Sequence, residues 1–368
     1  MLQPPPAEPG MREEEVDTPA LILDLDAFEA NLDAMAGYLA PTGTRLRAHA
    51  KTHKSPVVAL QQIRRGAVGQ CVQKVAEAEA LAWGGVPDIL VSNEVVAPRK
   101  LARLCALSRI SRVALCADHY EAVTLAEQAA EAAGLRLSVL VEIDVGAGRC
   151  GVAPGPEAVA LASRIAGSPH LRFGGLQAYH GSAQHIRASE GRAAAISRAV
   201  EQTRRTVEQL RQQGLSCEIV GGAGTGTFPL EAASGVYNEI QAGSYAFMDA
   251  DYAANEAAPP FRHALFVLAQ VMSVPRPELA VVDAGHKALP TDSGFARPWQ
   301  RPGLAYVGAS DEHGTLRVAG GAAPKLGEKL RLVPGHCDPT IDRYDWFVGV
   351  RQGRVECLWP ILARGMMQ

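Results

Sequence analysis

Between about residues 45 and 244, short apolar segments alternate with alanine-rich helical patterns, and this rhythm restricts the fold more than any other feature. Strand-like runs fall at Arg45–Lys51, Gly69–Gln73, Asp88–Asn93, Arg112–Ala117, Leu137–Asp144, Leu171–Tyr179, Cys217–Gly222 and Asn238–Ser244. Helical stretches such as Lys74–Trp83, Tyr120–Ala133 and Ser189–Gln213 separate them. Repeating βα units set successive strands parallel, because each helix carries the chain back to the starting edge. Eight such strands predict an α/β fold, a closed (β/α)8 TIM-like barrel with its site at the C-terminal strand ends. An open doubly wound sheet would use the same strands.

After about Asp251 the rhythm changes. Phe266–Val274, Leu279–Asp283, Leu316–Val318, Lys329–Val333, Trp346–Arg351 and Val355–Trp359 read as strands joined by Gly/Pro-rich turns. They predict a second, mostly β domain. The early strand Ala20–Leu25 has no barrel position left and is expected to join it. The expected division is a barrel at 26–251, a β domain at 17–25 plus 252–368, and a disordered, proline-rich and acidic segment at 1–16.

A chain of 368 residues can bury two cores. Its net charge of -3, without a concentrated basic patch, argues against a nucleic-acid partner. No apolar stretch approaches membrane-spanning length. Seven cysteines without paired spacing fit a reducing cytoplasm. The composition is that of an ordinary globular protein of enzyme size, expected in the cytoplasm.

The first barrel strand carries the sharpest chemical signal. Read with period two, it puts Arg45, Arg47, His49 and Lys51 on one face. A solvated edge strand would show the same pattern. The functional alternative is a lysine nucleophile, its pKa lowered by neighbouring cations. At the far strand ends, Gly221–Thr227 and Gly243–Tyr245 are loops rich in glycine and hydroxyl residues. Such loops follow the seventh and eighth strands, where barrels of this type commonly bind phosphate. Tight turns alone would also explain their glycines. A lysine opposite a phosphate cradle suggests pyridoxal 5'-phosphate. Of the seven lysines, Lys74, Lys100, Lys325 and Lys329 fall in helices or β-domain turns, and Lys54 is expected to point outward. Lys287 lies outside the barrel, which leaves Lys51.

The run Arg47–Lys54, the segment Asp144–Arg149, Tyr179–His185, the two glycine loops and a motif at His336–Asp338 together resemble one family. It is the alanine-racemase-type, or fold type III, family of pyridoxal phosphate enzymes. Within it the nearer likeness is to the branch of D-threonine aldolases and eukaryotic-type D-serine dehydratases. The resemblance covers essentially everything after about Asp17. It implies that Lys51 binds the cofactor covalently and that Arg149 lies near its phenolic oxygen. It implies His180 stacked on the pyridine ring with Tyr179 beside it, and Gly224, Thr225, Gly243 and Ser244 on the phosphate. Where the racemases set an arginine against the ring nitrogen, this chain has Gln241. The family's usual homodimer is expected, with the barrel mouth facing the partner's β domain.

The motif Val333–Thr340 bears on which reaction is run. On a strand, His336 and Asp338 point to one side and Cys337 to the other. A His-x-Asp pair is a nitrogen–oxygen site suited to a hard divalent ion, Mn²⁺ first, with Mg²⁺ or Zn²⁺ as alternatives. A His-x-Cys pair, which the dehydratases resemble, favours zinc. A surface histidine before an ordinary turn is the plain alternative. By the resemblance, the expected reaction is retro-aldol cleavage of D-β-hydroxy-α-amino acids such as D-threonine, with His185 as general base. D-serine or D-threo-3-hydroxyaspartate dehydration, or a non-catalytic cofactor carrier, are the other readings.

Overall fold

A computed structural model describes residues 3–320 and 323–368. The first strand, β1 (Ala20–Asp24), runs into the helix Leu25–Leu39, which is capped where the Asp24 carboxylate accepts the Ala27 N–H at 3.0 Å. Eight strands then form a closed parallel barrel. They are β2 (Arg45–His49), β3 (Gly69–Val72), β4 (Asp88–Glu94), β5 (Arg112–Ala117), β6 (Leu137–Glu142), β7 (Leu171–Gln177), β8 (Ile219–Gly222) and β9 (Glu239–Ile240). Strand β9 pairs back onto β2, Arg45 opposite Glu239 and Leu46 opposite Ile240, which rules out an open sheet.

The local sequence accounts for the alternation. Pro56, Pro98 and Pro156 open the helices Pro56–Arg64, Pro98–Leu107 and Pro156–Ala166, where a missing N–H leaves no bond unmade. Along each barrel strand, neighbouring residues face opposite ways. Cys71, Leu90, Cys116, Leu140 and Ile219 fill the lumen. Val72, Val91, Leu115, Val139 and Val141 pack outward against the helices.

The second domain comprises β10 (Leu265–Arg276), β11 (Leu279–Val282), β12 (Arg297–Pro298), β13 (Leu304–Ala309), β14 (Gly314–Val318), β15 (Lys329–Val333), β16 (Trp346–Arg351) and β17 (Arg354–Pro360). Strand order is β13-β14-β11-β10-β1-β16-β17, with β15 paired to β10 and β12. As expected, β1 joins this sheet, antiparallel to β10 and parallel to β16. Two strands escaped the sequence reading: β12 is too short to show a period, and β13 breaks its alternation with a bulge near Gly308.

The expectation of a disordered N-terminal segment fails for residues 3–16. The Gly10 N–H donates to the Val355 carbonyl at 2.8 Å, and Ala7 and Val16 are buried against Val348, Val350 and Val355. Two apolar residues in a polar stretch leave little hydropathic trace, yet they anchor it to a ready-made sheet face. Among the described residues, no helix is long and apolar enough to cross a membrane.

Candidate active site

A cavity of about 220 Å³ opens at the C-terminal ends of the barrel strands. The barrel contributes Lys51, Gln73, Arg149, Tyr179, His185 and Gln241 to its wall, and the second domain contributes His336 and Asp338. The two domains therefore share one site.

Strand β2 ends at His49, and a turn closed by the Lys54 N–H on the Ala50 carbonyl at 2.7 Å presents Lys51 to the cavity. Lys51 Nζ lies 3.3 Å from Asp338 Oδ2, and 42% of its side chain remains accessible because it projects into the open cavity. The shared face of Arg47, His49 and Lys51 is as expected, but the crowding of cations is not. Arg47 is neutralised lower in the barrel by Glu239 at 2.7 Å and Asp88 at 2.5 Å. Burial, then the charge of Lys51, holds His49 well below its ordinary pKa, so its ring is neutral. The Asp338 carboxylate raises the Lys51 pKa against the opposing effect of burial, reversing the direction expected from sequence. Lys54 does not point outward: it is buried, with its amine 2.6 Å from Asp342 and 3.4 Å from Glu77.

Strand parity also sorts the pair after β7. Gln177 and Tyr179 face the cavity, two residues apart. His180 is turned away, its ring against Gly146 and its Nδ1 3.3 Å from Ser182 Oγ, so it is not brought to the cofactor position expected of it. Tyr179 occupies that wall instead, with the Arg149 guanidinium carbon 5.9 Å from its ring centroid. Gln241 is buried and locked amide-to-amide with Gln177, both bonds 2.8 Å. The parity that places Gln177 was readable in sequence; its partnership with Gln241 was not.

The glycine loops fit an anion. The Thr225 hydroxyl is buried without a hydrogen-bond partner, a cost recovered if a ligand oxygen meets it. Gln184 braces that loop, accepting the Gly226 N–H at 3.0 Å and donating to Thr227 Oγ1 at 2.8 Å. A Cβ on Gly224 would lie 2.5 Å from Gln184 Oε1, and one on Gly243 would lie 2.6 Å from the His49 carbonyl. Only glycine lets these loops close on their braces. Ser244 lies beside them, its hydroxyl 3.5 Å from Asp338 Oδ1. With Lys51 across the cavity, the residues fit pyridoxal phosphate.

The metal motif is brought together by a different local structure from the one expected. Cys337–Ile341 is a short helix with His336 as its N-cap, not a strand. The consequence for the side chains is nonetheless as foreseen. His336 Nε2 lies 3.9 Å from Asp338 Oδ1, while Cys337 is fully buried with its N–H on Asp249 at 3.0 Å. Asp292 accepts from His336 Nδ1 at 2.7 Å, which turns Nε2 toward Asp338. Burial raises the Asp338 pKa, but Lys51 and then His336 outweigh it and hold the carboxyl below its ordinary range. The Asp338 carboxylate and the His336 imidazole together make a nitrogen–oxygen pair of the kind that suits a hard divalent cation.

His185 Nδ1 lies 2.6 Å from Asp251 Oδ2, and Arg187 also pairs with that carboxylate. The carboxylate can only accept, so Nδ1–H is the donor of that bond, and Nε2 is the ring nitrogen left outside it. Tyr252 stacks near the imidazole at 5.9 Å. Asp251 and Asp292 were missed in the sequence, although the run Met248–Tyr252, with two aspartates where the barrel ends, was a signal for the first.

The model of the alanine racemase N-terminal domain matches residues 23–251, and that of a putative serine dehydratase domain matches 264–350. D-threonine aldolase of Arthrobacter sp is 48% identical over 98% of this chain and 96% of its own length. The 3-hydroxy-D-aspartate aldolase of Paracoccus denitrificans is 48% identical over 98% of this chain and 95% of its own. The D-threo-3-hydroxyaspartate dehydratase of Delftia sp. is more distant, 32% identical over 88% of this chain and 92% of its own. The crystal structure of D-threonine aldolase from Filomicrobium marinum matches with a TM-score of 0.97 and 50% identity, covering 99% of this chain and 100% of that one. A barrel with a catalytic-type lysine, a β domain that completes the site, and these relatives together place the chain in the alanine-racemase-type family, in the group that holds D-threonine aldolase and 3-hydroxy-D-aspartate aldolase.

Proposed function

We propose that this protein is a pyridoxal phosphate- and divalent-metal-dependent aldolase that cleaves D-β-hydroxy-α-amino acids, such as D-threonine, to glycine and an aldehyde. One observation carries the reading: Lys51, the His336/Asp338 pair and the His185–Asp251 dyad converge on a single cavity. Lys51 Nζ holds the cofactor. Thr225, Gly224, Gly243 and Ser244 hold its phosphate, and Arg149 and Tyr179 flank it, with Gln241 as the partner of its ring nitrogen. Pyridoxal phosphate, when bound, stabilises the electron pair left on the α-carbon as the Cα–Cβ bond breaks. His336 and Asp338 hold a divalent ion, whose contribution is Lewis acidity toward the β-oxygen of the substrate.

His185 Nε2 takes the β-hydroxyl proton, since Nδ1–H is committed to Asp251. The oxygen then becomes the carbonyl of the departing aldehyde. The anionic character of Asp338 supports a hard, hydrated ion such as Mn²⁺ over a thiolate-bound zinc. The second domain, which supplies that pair, argues against a cofactor carrier. All seven cysteines are free, which supports a reducing, cytoplasmic setting. Arg149 stands exposed at the cavity mouth, where a second copy of the chain in a homodimer would cover it.

The test is product analysis with D-threonine. Glycine and acetaldehyde are expected, with little action on L-threonine. Dominant 2-oxobutanoate and ammonia would make the protein a dehydratase instead.

A further inference from the structure

Two ion pairs join the same two segments. One faces the cavity, Lys51 to Asp338 at 3.3 Å. The other is buried: Lys54 Nζ donates to Asp342 Oδ1 at 2.6 Å, with Glu77 Oε1 at 3.4 Å. Lys54 belongs to the turn that presents Lys51. Asp342 is the C-cap of the helix Cys337–Ile341, which carries Asp338.

The buried pair is over-determined. Lys54 has φ 51, a left-handed conformation that a lysine holds only when its surroundings impose it. Its side chain is 8% accessible, so its charge must be paired where it lies. Each partner is committed elsewhere as well. Glu77 accepts the N–H groups of Gln73 and Lys74 at 2.9 and 3.0 Å, and Gln73 in turn reaches His49 at the cavity wall. Asp342 accepts the Gly365 N–H at 2.9 Å.

We infer that Lys54 is a positioning residue, which with Asp342 and Glu77 sets where the metal pair stands relative to the cofactor lysine; this rests on the aldolase reading above. Once its nitrogen is bonded to the cofactor, Lys51 is no longer a free ammonium that can reach Asp338, and Asp338 cannot give the same oxygens to Lys51 and to a metal ion. In the loaded enzyme the cavity-facing pair is therefore broken. The Lys54–Asp342 pair remains to tie the two segments together across the domain junction.

Asp342→Asn and Lys54→Met in the full-length holoenzyme test this. Asp342→Asn is the milder change, because it keeps the side-chain size and leaves Lys54 paired to Glu77. Amide hydrogen exchange is expected to rise together in peptides covering 50–55 and 337–342. Mn²⁺ affinity should fall about tenfold and kcat should fall with KM little changed, while the cofactor's visible absorption persists. Unchanged exchange in both peptides of Asp342→Asn overturns the proposal. So does raised exchange with wild-type Mn²⁺ affinity and kcat. Should Lys54→Met fail to fold, Asp342→Asn decides by the same readouts. A wild-type protein that binds no Mn²⁺ would instead count against the aldolase reading, and the exchange data would still decide whether the Lys54–Asp342 pair ties the two segments together.

Discussion

Lys51 Nζ and the Asp338 carboxylate stand 3.3 Å apart, one from the barrel and one from the β domain. The lysine proposed to hold the cofactor and a carboxylate proposed to hold the metal thus neutralise one another. On that reading, loading either one frees the other.

Borohydride reduction of the holoenzyme is expected to fix the cofactor on Lys51. Lys54 is buried in an ion pair, and Lys287 is exposed beside Glu312 and does not line the cavity. Peptide mapping checks the assignment, and label on either of those lysines would defeat it. Lys51→Ala should lower turnover by at least ~10³-fold.

Metal binding should depend on His336 and Asp338 but not on the Cys337 thiol, which is buried away from the cavity. His336→Ala and Asp338→Ala should each abolish binding at micromolar Mn²⁺, measured by calorimetry, whereas Cys337→Ser should bind as wild type. Asp292→Asn should weaken affinity by roughly 10–100-fold, since it loosens the hydrogen bond that orients His336. A large loss of metal in Cys337→Ser would return the motif to the zinc-dehydratase arrangement.

Asp251→Asn separates orientation from binding. An amide can offer its N–H to His185 Nδ1, which would move the proton to Nε2 and leave no base for the substrate. Turnover should drop by ~10²–10⁴-fold, with cofactor absorption and Mn²⁺ affinity retained. His185→Ala should behave alike, and the double variant should be little worse than either single one. Additive losses would mean that the two residues act independently.

His53 makes stability depend on pH. Its Nδ1 accepts the Ser55 N–H at 3.1 Å, and full burial pushes its pKa from 6.5 down to about 4. The folded state therefore holds this ring neutral while the unfolded chain takes up a proton. Stability contributed by the neutral ring is present above about 6.5 and is lost as pH falls from there toward about 4. The full loss is roughly 3 kcal/mol, since each tenfold change in proton affinity is worth about 1.4 kcal/mol. His53→Asn, which keeps an acceptor but does not titrate, should flatten the fall in Tm between pH 7 and 5 measured by calorimetry. An equally steep fall in the variant would assign the dependence to other groups.

The barrel was legible in the sequence because it is carried by a local period, and β1 could be set in the other sheet because the eight barrel positions were already filled. Alternation in β2 put Arg47, His49 and Lys51 on one face, and the structure keeps them there. The resemblance implied both Tyr179 and His180 at the cofactor; strand parity separates them, and only Tyr179 lines the cavity.

Sequence alone determined which side chains could enter the barrel mouth, since that follows from strand parity and from glycines that no other residue could replace. Only the tertiary structure decided their charges and their partners. Asp338 reverses the expected shift of Lys51, Asp251 selects the His185 tautomer, and Asp342 and Glu77 turn Lys54 inward. Each of these depends on a group remote in the chain, Asp338 and Asp342 brought within about 4 Å by packing of the β domain on the barrel, Asp251 and Glu77 by closure of the barrel itself. Coulombic and hydrogen-bonding effects fall off steeply over such distances, and the spacing of residues along the chain carries no record of them.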